Sequence, residues 1–137
     1  MATYNKFQDF VEQLGLGVHN LNTHTLKVYL SNEQPLVTDT VKANIAEITD
    51  EHGYPAGGSD ITNVWSEASG TGTLTGTDVV FTASGGSFGP FQFAVIYNDD
   101  VAGDPLVCWW ERATPLTCED TDTFTTDFGA SIFTMGP

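Results

Sequence analysis

Phe91-Gln92-Phe93-Ala94-Val95-Ile96-Tyr97 is apolar at every position but Gln92, so both alternating faces of this run are suited to burial. The next eight residues, Asn98-Asp99-Asp100-Val101-Ala102-Gly103-Asp104-Pro105, are polar and rich in turn formers. Leu106-Val107-Cys108-Trp109-Trp110-Glu111-Arg112 then resumes a β-rich pattern. Together the three runs predict an antiparallel hairpin at the centre of a sheet. Phe93 and Val95 share one of its buried faces.

The surrounding sequence has the same character. From Ile61 onward, β-branched and aromatic runs are broken by glycine at short intervals, which predicts strands near 61–67, 71–75, 78–83, 91–97, 106–112, 116–118 and 122–128. Upstream, Leu26, Val28 and Leu30 alternate with Lys27, Tyr29 and Ser31, the period of a half-buried strand with Lys27 towards solvent. Pro35 ends that strand. Val41, Ile45 and Ile48 fall on one helical face and predict a short helix or irregular crossover, and residues 51–60, with Gly53, Pro55, Gly57 and Gly58 around Tyr54, read as an ordered loop. At the start, Phe7, Phe10, Val11 and Leu14 form an apolar stripe over about 4–14, with Thr3 as the N-cap and Gly15 and Gly17 as the exit. That amphipathic helix is expected to cover the sheet. The fold class is mainly β: one domain over 1–137, an antiparallel, jelly-roll-like β-sandwich with an N-terminal amphipathic α-helix.

Charge narrows the partners. Against 18 acidic residues the chain has only Lys6, Lys27, Lys42 and Arg112, a formal net charge of −14. Such a surface repels a phosphate backbone and an anionic bilayer, so neither nucleic acid nor membrane is an expected partner. The residues following Met1 lack the basic start and apolar block of a signal peptide, and synthesis in the cytoplasm is expected.

Motifs for chemistry are weak. Asp50, Glu51, Asp99, Asp100, Asp104, Glu119 and Asp120 lie in predicted turns, where solvation explains them better than a catalytic carboxylate pair. Asn98, Asp99, Asp100 and Asp104 offer oxygens, but without the spacing of a calcium loop. His19, His24 and His52 are separated by loops, and neither Cys108 nor Cys118 belongs to a Cys-x-x-Cys element. Gly85-Gly86-Ser87-Phe88-Gly89 contains the Gly-x-Ser-x-Gly spacing of a serine nucleophile, yet a β-run follows where that motif needs a helix. No enzyme activity, metal or cofactor is expected. A turn centred on Ala113 would set Cys108 opposite Cys118, although free thiols are the expectation in a reducing compartment. Trp109 and Trp110, adjacent on a strand, must point to opposite faces, one into the core and the other to a second surface for assembly or sugar stacking.

The chain resembles small proteins encoded among the virion-structure genes of tailed bacteriophages. The resemblance runs from Tyr4-Asn5-Lys6-Phe7-Gln8-Asp9-Phe10 through Leu26-Lys27-Val28 and Gly53-Tyr54-Pro55-Ala56-Gly57-Gly58. It is densest in Val79-Val80-Phe81-Thr82-Ala83-Ser84-Gly85-Gly86-Ser87-Phe88-Gly89-Pro90-Phe91, Tyr97-Asn98-Asp99, Asp104-Pro105-Leu106 and Trp109-Trp110. It implies a non-enzymatic decoration or cement protein on the capsid surface of the virion, in contact with the major capsid protein or other virion subunits and oligomeric within the particle. Phe88, Trp109 and Trp110 are the expected assembly residues. A neck, tail or fibre component and a carbohydrate-binding β-sandwich module are the competing readings.

Overall fold

The computed structural model describes residues 3–136. The central hairpin forms as expected and is longer than its apolar signal: β7 runs Phe88–Asn98 and β8 Leu106–Cys118. Two further strands flank it, β1 at Thr3–Lys6 and β2 at Leu26–Ser31, with the two-residue β3 at Ser59–Asp60 beyond. The resulting antiparallel sheet has the order β1-β8-β7-β2-β3. Smaller sheets complete the sandwich. β4 at Val64–Ala68 and β10 at Phe133–Met135 sit on either side of β5 at Thr71–Thr75, and β6 at Val79–Thr82 pairs with β9 at Thr123–Thr126. The fold is mainly β, antiparallel, with one short N-terminal helix.

Several expectations are corrected. The segment read as the first turn of a helix is β1, because Thr3 to Lys6 pair residue by residue with Glu111 to Cys108. Helix α1 is confined to Gln8–Gly15 and starts behind Phe7, which makes no side-chain capping bond, so Thr3 is not its cap. Phe10 is buried against Phe133 and His19, at ring distances of 5.7 and 5.1 Å. Burial of one such side chain contributes about 1.5–3 kcal/mol. Val11, from the same stripe, stays in solvent.

The two strands expected at 106–112 and 116–118 are one strand. No turn forms at Ala113, and Cys108 and Cys118 lie ten residues apart along β8 as free, buried thiols. The short helix expected around Val41 is a single 3-10 turn, Lys42–Asn44, fixed by Asn44 Oδ1, which accepts the N–H groups of Thr40 and Val41. The chain then runs extended over the sheet. Tyr29 and Ser31, expected on a solvent face, are buried beneath it: the Tyr29 hydroxyl donates to the Ile45 carbonyl and the Ser31 hydroxyl to that of Ala46. Lys42 Nζ stands 4.7 Å above the Tyr29 ring, so one crossover covers what alternation had left open. Gly58 permits the closest approach: at φ +76°, it lies so near β2 that a Cβ would overlap the Val28 carbonyl.

Candidate functional site

Cross-strand register settles the tryptophan pair. Trp109 is opposite Val95, which is opposite Tyr29, so it joins the face under the crossover and packs on Phe7 at 4.5 Å. Trp110 is opposite Ala94 and Leu30 on the other face and meets Phe128 at 5.5 Å and Tyr4 at 5.6 Å. Phe88 and Trp109, at 1% and 3% exposure, are consumed by the chain's own core and have no surface to give a partner. Of the three assembly residues expected from sequence, Trp110 alone is still partly open.

Trp110 lines a groove of about 490 Å³ between β8 and β9. A bulge in β8 builds one wall. Phe91 pairs with Leu116 and Phe93 with Glu111, so two steps on β7 are matched by five on β8. The surplus pushes Arg112, Ala113 and Thr114 out of the ladder, a device that re-aims side chains beside binding sites. Two bonds hold the bulge: Gln92 Nε2 donates to the Arg112 carbonyl at 2.9 Å, and Arg112 Nη1 donates to the Thr114 carbonyl at 2.8 Å. Phe91, Phe93 and Phe124 contribute apolar surface, with Phe91 and Phe124 in edge contact at 4.8 Å. Asp127 stands on the opposite wall, one of its oxygens accepting the Gly129 N–H. Lys27 and Lys42 are paired with Asp99 and Glu47, whereas Arg112 has no carboxylate within 4.0 Å among the described residues.

A second surface feature surrounds α1. Val11, Leu16, Leu36 and Val37 are exposed to 53%, 68%, 58% and 44%. The Gln8 N–H donates to the Val37 carbonyl at 2.9 Å, which ties the start of the helix to the turn that carries Leu36 and Val37.

The motifs weighed for chemistry take other roles. His52 Nδ1 meets the carbonyl oxygen of Ser87 at 2.9 Å, not its hydroxyl, and Ser87 leads into β7. In the acidic turn, Asn98 Oδ1 accepts the Asp100 N–H, Asp100 Oδ2 accepts the Thr25 N–H and Asp99 pairs with Lys27. Those oxygens are turned towards donors instead of a common centre. Among the described residues, no group of three His, Cys, Asp or Glu is placed to hold a metal.

Sequence reading missed one cluster. With its oxygen taken by Asp100, Asn98 directs its amide nitrogen to Nδ1 of His19 and Nδ1 of His24, each 3.0 Å away. Both rings must then present a lone pair at Nδ1 and carry their proton on Nε2. Burial, reinforced by His24, pushes the His19 pKa down, with Asp9 opposing. Tertiary contact alone brings residues 19, 24 and 98 together.

No protein-family model matches this chain, and no curated protein or solved structure does either.

Proposed function

We propose that this chain is a non-enzymatic structural protein of a tailed-phage particle, a decoration protein that attaches to the assembled head shell. The observation that carries the reading is the exposure of large hydrophobic side chains on α1 and on the turn bonded to its start. Val11, Leu16, Leu36 and Val37 lie in solvent although 28 other hydrophobic residues are buried among the described residues, and attachment to a neighbouring subunit would remove them from water. The phage-like motif string supports the same reading, and its densest part, residues 79–91, supplies Phe81, Phe88 and Phe91 to the core. A net charge of −14 keeps free copies apart before attachment.

The test is co-sedimentation with shells that lack this protein. The parent chain should bind, and a Val11→Ser, Val37→Ser double variant should keep its melting temperature while losing at least tenfold in affinity, about 1.4 kcal/mol. A parent chain that never sediments with shells removes the head-decoration reading and moves a neck, tail or fibre position ahead.

A further inference from the structure

We propose that the Trp110 groove is a binding site for a neutral hexopyranose chain, a role separate from attachment through α1. A sugar ring has an apolar C–H face and a rim of hydroxyls that each donate and accept. A matching site therefore needs an aromatic surface flanked by donors on one side and acceptors on the other. The groove has that arrangement. Trp110 lines it, and its neighbours Tyr4 and Phe128 meet the indole at 64° and 46°, so neither stacks flat upon it.

Arg112 and Asp127 supply the two rims. Arg112 is anchored through one Nη1 bond to Thr114, which orients a guanidinium whose remaining N–H groups have no carboxylate partner among the described residues. Asp127 accepts the Gly129 N–H through Oδ1, leaving Oδ2 to accept from a hydroxyl. The bulge is what brings Arg112 to this wall: in a regular ladder residues 112–114 would continue the pairing with β7. At about 490 Å³, the space lies in the range of roughly 300–1,000 Å³ typical of small-ligand sites.

Charge selects the class of sugar. One guanidinium stands in a chain of net charge −14, so sulfated or polyuronate chains are repelled at long range while a neutral glycan is not.

The test is calorimetric titration of the full chain with neutral di- to tetrasaccharides of glucose, galactose, mannose and N-acetylglucosamine, and with the matching uronates. At least one neutral series should bind saturably. Trp110→Ala should weaken that binding at least tenfold. Because Trp110 also packs on Phe128, Arg112→Gln and Asp127→Asn provide a second route: each should weaken binding severalfold, and Asp127→Asn, which keeps the oxygen that accepts the Gly129 N–H, should do so with the melting transition unchanged. The proposal is overturned if no neutral sugar binds, if uronates bind more tightly, or if all three variants bind like the parent. It is also overturned if these variants lose shell attachment instead of sugar binding. The Val11→Ser, Val37→Ser variant should bind sugar normally, so failure of the shell reading and failure of this one are seen separately.

Discussion

The Tyr54 hydroxyl donates to Oε2 of Glu47 at 2.6 Å, and the same oxygen accepts the Gly57 N–H at 2.7 Å. The phenol oxygen also accepts the backbone N–H of Leu30 at 3.0 Å, while Glu47 Oε1 pairs with Lys42 Nζ at 3.1 Å. A crossover with almost no secondary structure of its own is thereby fastened to β2. Burial, then the bond to Glu47, pushes the Tyr54 pKa well above that of a free phenol, so the hydroxyl remains a donor.

Tyr54→Phe should therefore destabilise the fold by about 1–3 kcal/mol, since the Leu30 N–H loses its acceptor inside the protein. Chemical denaturation checks this. Lys27→Ala is the control: it breaks only a half-exposed pair with Asp99, and such pairs are worth about 0–1 kcal/mol. Equal effects in the two variants would contradict the proposed fastening role.

Trp109→Ala should cost about 3–5 kcal/mol, and Phe93→Ala a similar amount, because both side chains are buried. Trp110→Ala should cost distinctly less, since Trp110 stands at the groove with part of its surface in water. Urea denaturation of the three variants measures the ordering, and a Trp109 variant as stable as the parent would place that residue outside the core.

Stability should fall as pH drops below about 6.5, the usual histidine value, towards the depressed pKa of folded His19. The sign follows from the direction of the shift. A pKa lower in the folded chain means that the unfolded chain takes up a proton first, so acid favours unfolding, and the contribution is fully present above the unfolded pKa. Protonation at Nδ1 would also oppose the Asn98 donor. His19→Gln should flatten the profile between pH 7 and 5, in steps of about one pH unit; an unchanged slope would assign it to other groups.

Cys108 and Cys118 should not form an intramolecular disulfide under oxidation. Ten residues along a strand separate them by a distance on the order of 30 Å, against a Cα separation below about 7 Å for a bridge. Burial also pushes the Cys108 thiol above its ordinary pKa. Thiol reagents should label both cysteines only after unfolding, and melting should be the same with and without reductant. Rapid labelling of the folded chain would show that β8 opens.

The β7–β8 hairpin was legible in the amino-acid order because burial on both faces leaves a nearly continuous apolar run, and because the stretch between the strands is rich in turn formers without calcium-loop spacing. Opposite placement of Trp109 and Trp110 was equally local, being a consequence of strand alternation. β1 was not legible: Phe7, Phe10, Val11 and Leu14 have helical spacing, but pairing of Thr3 to Lys6 with β8 satisfies backbone groups that propensity cannot weigh. The covered face of β2 was hidden for a related reason, since the residues that bury Tyr29 and Ser31 come from 13 to 16 positions downstream.

Which tryptophan stays partly in water, and what stands beside it, belongs to the tertiary structure alone. Sequence could assign the pair to two faces but could not say which face the crossover would close. It split one long strand into two, 106–112 and 116–118, at a turn on Ala113, whereas the fold absorbs that stretch as a bulge. Alternation, charge and turn chemistry act over neighbouring residues and were therefore readable in order. Register, the Arg112 wall and the meeting of His19, His24 and Asn98 depend on contacts between distant segments, which exist only once the chain has closed on itself.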